Sequence, residues 1–255
     1  FMLGAFAGCG ALVATATLPA PIGISVAFVL AMLACGAIAV GVEKMAYAPL
    51  RKAPRLAPLI SAIGMSIALQ NAVLLFRNDF LAFPTVFSQV QYKVGFVQIS
   101  RLQIIILLSS LMMMVGLWLF VQYTRFGKAI RACSQDREAA ELMGIPVNRM
   151  ISLTFFIGAI LAGAAGVLYS LYYGSIKYNM GFVPGMKAFT AAVLGGIGNI
   201  PGAMLGGLLL GTSEAWGAAF LPEAEWKDVF AFGILVLVLI IRPSGILGER
   251  TAEKV

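Results

Sequence analysis

Long uncharged runs alternate with short charged segments along this chain, and that alternation restricts it to one class of fold. Phe1–Leu18, Ile22–Val42, Leu59–Phe76, Leu102–Gln122 and Ile151–Leu171 contain no Asp, Glu, Lys or Arg. A helix needs about 20 apolar residues to cross the hydrocarbon core of a bilayer. Charged residues make up 11% of the chain, where a soluble domain carries about 25%. The fold class predicted is therefore all-α, a polytopic transmembrane helix bundle. The net charge of +7 reads as basic residues crowding the cytoplasmic loops, with no nucleic-acid partner implied.

The distribution of those basic residues orients the chain. Segments 43–58 and 123–150 hold four and five Lys or Arg, and the tail 242–255 holds three. Segments 77–101, 172–187 and 222–228 hold three, two and one. The positive-inside rule puts the first group in the cytoplasm. It also sets a puzzle at Ala188–Leu221, whose flanking loops then lie on the same outer face. One straight helix cannot begin and end there. The stretch GGIGNIPG supplies the break, because Gly and Pro interrupt helices, and irregular backbone at membrane depth survives where protein or a water-filled cavity satisfies it. The prediction is a discontinuous, re-entrant element near 188–202. A half-helix over 188–197 enters from outside, the chain turns at 198–201, and a helix from 202 to about 221 returns. A last span covers 229–241. The whole forms one transmembrane domain over 1–255. The alternating segment within 77–101 reads as a small hairpin.

Tyr123–Met150 is the longest regularly charged stretch, with five basic and three acidic residues. It contains a short helix over Arg137–Met143, capped by Ser134 or Asp136 and stopped by Gly144 and Pro146. So short a helix does not hold in water alone. Either its own bundle or another protein must pack on it.

Small residues recur at every fourth position in two stripes, Gly158–Ala162–Gly166–Ser170–Gly174 and Gly198–Gly202–Gly206; Gly4 and Gly8 have the same spacing. Such stripes let helix backbones touch. Discontinuous helices also build substrate sites in transporters, so Gly195, Gly196, Gly198 and Asn199 are candidate pathway residues. Glu214 lies well inside an apolar run, about 10 Å from the helix end at 1.5 Å per residue. It either serves the pathway or reaches the outer interface near Lys227. Gln70 and Asn71 either glue helices together or touch cargo.

Enzymatic chemistry has little to build on. The chain has no histidine, and Cys9, Cys35 and Cys133 lack metal-ligand spacing. Gly127-Lys128 is followed by Ala129 and has Gln122 where a phosphate-binding loop needs its first Gly. No resident cofactor or metal is expected.

The segments RACSQDREAAELMGIPVNRM, GMKAFTAAVLGGIGNIPGAMLGGLLLG and RPSGILG resemble the membrane permeases of bacterial ABC importers for branched-chain amino acids. The likeness spans almost the whole chain, and a broader similarity reaches ribose-type sugar permeases. The resemblance implies a multi-pass protein of the bacterial inner membrane. It implies a second permease subunit, usually a different one, two ATPase subunits that bind ATP and Mg, and a periplasmic amino-acid-binding protein. It makes the central cytoplasmic helix a coupling helix docking on the ATPase, which assigns that role to Asp136, Arg137, Glu138, Ala139, Ala140, Glu141, Leu142 and Gly144. Permeases of this type also carry urea, short amides or other apolar amino acids. Such proteins usually have a further N-terminal span, so a preceding segment is expected before Phe1. The other class weighed is an ion-coupled secondary transporter, which calls for an intramembrane charged relay and usually two repeat halves. Only Glu214 offers the first, and no internal repeat is evident.

Overall fold

The structure is a computed structural model that describes residues 1–15, 19–52, 56–76, 81–84, 91–94, 97–196, 198–220, 226–241 and 245–248. It divides into two compact units, Phe1–Met113 with Leu119–Gly181, and Met114–Trp118 with Phe182–Val255.

The first unit is built on three helices. They are α1 (Met2–Ala14), α2 (Ala20–Val42) and a long helix introduced below as α7. After Pro19, whose fixed φ suits a helix entry, α2 runs on through a π-helical turn (Glu43–Tyr47) and a 3-10 turn (Pro49–Lys52). Then come α3 (Leu56–Phe76), a two-residue strand β1 (Leu81–Ala82), and strands β2 (Gln91–Val94) and β3 (Val97–Ser100). The last two pair antiparallel, with Gln91 opposite Ser100, as the alternation of the sequence predicts. Ser100 caps α4 (Arg101–Tyr123) through a reciprocal bond with Gln103. No residue of α4 is buried, and its Leu107, Leu108 and Met112 are exposed.

The charged stretch Tyr123–Met150 holds two helices, α5 (Arg125–Gln135) and α6 (Arg137–Leu142), where its sequence predicts one. In α5 the less exposed Ala129, Ile130, Ala132 and Cys133 line one side, while Arg125, Lys128 and Arg131 are exposed. Thr124 breaks α4 from α5 and caps the latter, its hydroxyl accepting from the Gly127 N–H at 3.0 Å. Next comes α7 (Val147–Tyr173), ending at Gly174, which adopts the left-handed conformation at φ 68°. Strand β4 (Ser175–Ile176) then pairs with β1.

The core of this unit gathers Ala5, Cys9, Leu12, Ala27, Ala31, Phe83, Val167 and Ile176. Helices α2 and α7 run antiparallel, since Glu43 meets Ser152 while Cys35 meets Gly163. Backbones approach closely where side chains are small: a Cβ on Gly163 would lie 3.0 Å from the Ala31 carbonyl and from Cys35. Gly4 and Gly8 work as their spacing predicts, against Gly163 and Val167. The expected α7 stripe is met in part, at Gly166 and Ser170, and Gly163 joins it from outside. Gly163, Gly166 and Ser170 make the contacts, Gly158 faces open space, and Gly174 is a cap.

The second unit contains α8 (Phe182–Gly195), α9 (Ile200–Phe220) and α10 (Trp226–Ile241), with α10 packed on both. Helices α8 and α9 are bent 118° apart across a break of four residues. The discontinuous element predicted near 188–202 is therefore present. Its first half starts earlier than expected, so Lys187 belongs to a helix and not to a loop.

Among the described residues three helices are long and apolar enough to cross a membrane alone, Ile22–Tyr47, Arg101–Tyr123 and Val147–Tyr173, in addition to the bent pair. The fold is an all-α polytopic membrane bundle. The expected ends of the first span (16–18), most of the 222–228 loop and most of the 242–255 tail lie outside the described residues.

Candidate functional site

The break between α8 and α9 is closed by backbone contact between glycines. A Cβ on Gly195 would overlap the Gly202 carbonyl, and one on Gly206 would overlap the Ala191 carbonyl. Gly196 at φ 108° and Gly198 at φ 95° adopt conformations open to glycine and strained for other residues. Asn199 is the cap of α9: its Oδ1 accepts from the Gly202 N–H at 2.9 Å. Pro201 costs the first turn nothing, because the N–H it lacks has no helical partner there.

The end of α8 leaves carbonyls without helical partners. Residues Gly245–Gly248 supply the missing donors. The Ile246 N–H bonds to the Leu194 carbonyl at 2.9 Å and the Leu247 N–H to the Gly195 carbonyl at 3.0 Å. Asn199 Nδ2 donates to the Leu247 carbonyl at 3.1 Å, fixing both sides of the break to the same segment. The approach is close enough that a Cβ on Gly245 would lie 2.6 Å from the Gly196 nitrogen. The sequence reading treated this segment as a polar tail. A hint was available in the two glycines of GILG, which neither begin nor end a helix.

At the open ends of the same pair, Lys187 of α8 and Glu214 of α9 form a 2.9 Å ion pair, each side chain 20% exposed. An acid inside an apolar helix is held charged most cheaply by a nearby cation. Gln70 and Asn71 belong to the first unit and bond within α3. Gln70 donates to Ser66 Oγ at 3.2 Å and Asn71 to the Ile67 carbonyl at 2.9 Å. Gln70 also lines a cavity of about 160 Å³ with Ser66, Leu69 and Tyr178.

Helix α6 is fixed at both ends. Asp136 provides its cap, with Oδ1 accepting from the N–H groups of Glu138 at 2.9 Å and Ala139 at 3.1 Å. Of the two capping candidates in the sequence, Asp136 is the one used. At the other end Gly144, at φ 80°, donates to the Glu141 carbonyl, and the Ile145 N–H to the Ala140 carbonyl, both at 3.0 Å. This pair of bonds is the Schellman arrangement, which favours glycine at that position. Asp136, Arg137, Glu138, Ala139, Glu141, Leu142 and Gly144 are exposed, whereas Ala140 is 4% exposed and packs inward. Leu142 and Met143 are 88% and 82% exposed. Met143, the last residue of the expected helix, shares the apolar tip with Leu142.

The sequence profile described as the branched-chain amino acid transport system permease component matches residues 1–239. The chain belongs to that family. The permease is 50% identical to the high-affinity branched-chain amino acid transport system permease protein BraD of Pseudomonas aeruginosa, over 92% of this chain and 78% of the relative. It is 47% identical to the corresponding protein LivH of Escherichia coli, over 91% and 77%. A fructose import permease protein, FruG of Bifidobacterium longum, is 28% identical over 57% of this chain and 44% of the relative. No solved structure matches significantly. The permease is thus a non-catalytic membrane subunit of an ABC-type importer and a multi-pass protein of the bacterial inner membrane. Membership implies ATPase subunits, a binding protein and a second permease as its partners.

Proposed function

We propose that this permease carries branched-chain amino acids from the periplasm to the cytoplasm, pairs with a different permease, and receives force from two ATPase subunits through α6. The substrate follows from BraD and LivH, the similar permeases at 50% and 47% identity. The observation that carries the coupling is the Leu142–Met143 tip: two large apolar side chains, 88% and 82% exposed, on a helix rigidly capped at both ends. A six-residue helix with an apolar tip in water is suited to a groove on another protein. Asp136, Arg137, Glu138, Ala139, Glu141 and Gly144 surround or shape that tip, and Ala140 anchors its inner side.

The translocation pathway assigned here runs by the α8–α9 break, with Gly195, Gly196, Gly198 and Asn199 at its turn and Glu214 at its outer end. Gln70 and Asn71 are separate candidate cargo contacts on the first unit's α3. A closed backbone contact between glycines can slide without unlocking side chains, which suits a pathway that must open.

Co-purification tests the docking. Leu142→Asp with Met143→Asp is expected to reduce retained ATPase subunits by tenfold or more while membrane insertion stays normal. Unchanged retention would place the tip against something other than the ATPase. Uptake of labelled leucine by the complete transporter, competed with isoleucine, valine, acetamide, urea and fructose, tests the substrate. Competition by fructose alone, or uptake without any ATPase, would overturn the reading.

A further inference from the structure

Glu43 is the one fully buried charged side chain among the described residues. It sits in the π-helical turn that ends α2, a turn closed by the Ala48 N–H on the Glu43 carbonyl at 2.8 Å. Its carboxylate has two partners, one nearby in the chain and one distant from it. One is the Arg51 guanidinium from the 3-10 turn; the other is the Ser152 hydroxyl of α7, donating at 2.7 Å. The same guanidinium donates to Asn148 Oδ1 of α7. Asn148 and Ser152 are four residues apart, so both face the clamp from one side of the first turns of α7.

Those turns are directly joined to α6. Only residues 143–146 separate the two helices, and hydrogen bonds tie each end of the join to its own helix. The Ile145 N–H reaches the Ala140 carbonyl at 3.0 Å, and the Arg149 N–H reaches the Pro146 carbonyl at 2.9 Å. Ala140 on α6 and Met150 on α7 are both buried, at 4% and 7% exposure. A connection this short and fully bonded has little slack, so a displacement of α6 moves the start of α7 with it. The next firm attachment is the clamp on Glu43 and Arg51, which leads into α2, and α2 lies along both α1 and α7.

We infer that Glu43 is a positioning residue for energy coupling: with Arg51 it grips Asn148 and Ser152, so that a push on α6 reaches α2 as well as α7. π-turns recur at functional positions because they aim a side chain that a regular helix would place elsewhere. Here the turn brings a carboxylate to α7. A hydrogen-bond network carries coupling only if both ends depend on it. This inference rests on α6 being the docking helix, and its test is chosen so that the two can fail separately.

The test uses the complete transporter in proteoliposomes, with uptake and ATP hydrolysis both measured per assembled complex so that yield does not enter. Asn148→Ala with Ser152→Ala cuts the α7 side of the clamp and leaves Glu43–Arg51 in place. The ATPase subunits should stay bound and hydrolyse ATP at half the normal rate or more, while leucine moved per ATP falls at least fivefold. Glu43→Gln should lower the same ratio by a smaller factor. Ser152→Thr, which keeps the hydroxyl, should couple normally. An unchanged ratio in the double variant, or uptake and hydrolysis falling together in constant proportion, would overturn the inference. Loss of bound ATPase after Leu142→Asp, with an unchanged ratio in the double variant, would retain the docking helix and remove Glu43 from coupling.

Discussion

The two units solve the same packing problem with opposite emphasis. Each brings a pair of helices into close contact through small residues and adds an ion pair at one end. In the first unit the polar end carries the specificity. Glu43 is wholly buried, paired with Arg51 and bonded to Ser152, in addition to glycine contacts at Gly4 and Gly166 where an added Cβ would also overlap backbone. In the second unit the glycines carry it. An added Cβ at Gly195 would overlap the Gly202 carbonyl outright, while the Lys187–Glu214 pair is partly open to solvent, each side chain 20% exposed. A bond network fixes one arrangement of its groups, and bare backbone against backbone permits small sliding. The first unit is therefore built to hold a geometry and the second to change one.

Substitutions can sharpen or break that contrast. The largest effect is expected for Gly202→Leu, whose Cβ meets the Gly195 backbone in a break that cannot widen without losing its hydrogen bonds. Protease resistance of the second unit should disappear, and survival of a resistant fragment would show that the break tolerates bulk. Glu43→Leu should come next, because removing one partner leaves the other charge unmatched; such losses cost about 3–5 kcal/mol. Thermal unfolding in detergent measures it, and a shift equal to that of a surface substitution would mean that Arg51 finds another partner. Gly163→Val should cost about 1–3 kcal/mol as overpacking between α2 and α7, read in the same melting series. Glu214→Gln should cost about 1 kcal/mol or less, in keeping with a partly exposed pair. Intact uptake in that variant would remove Glu214 from the pathway while leaving the glycine break untouched.

How far the sequence foretold this depends on how far apart the interacting residues lie. The break at Gly195–Gly202 was legible because two local signals agreed: breaker residues, and basic-residue counts that put both flanks outside. Helix α6 was legible from Asp136 and Gly144, since caps act within one turn. Helix α5 was missed because its three cations drew attention from the apolar period of Ala129, Ile130, Ala132 and Cys133. Glu43 gave no signal, for Ser152 reaches it across 109 residues, and Asn148 reaches its partner Arg51 across 97. It stood at the edge of a charged loop, where an acid reads as solvated. Glu214 stood out instead, being the acid inside an apolar run, and local pattern could not reveal Lys187 as its partner. The stripe on α7 holds at Gly166 and Ser170 and misses Gly163, because periodicity shows that small residues share a face without saying which of them meets α2.

The bonding of Gly245–Gly248 to the end of α8 also fixes an order of events during synthesis. Asn199 and Leu247 are 48 positions apart, and a ribosome adds about 5–20 residues per second. For several seconds α8 and α9 thus enter the bilayer with the carbonyls of Leu194 and Gly195 still waiting for their partners. The half-helix cannot be sealed until α10 has been threaded and the glycines behind it have emerged. Closure of the break is then a late checkpoint in biogenesis, and quality-control proteases have an interval in which to inspect every new copy.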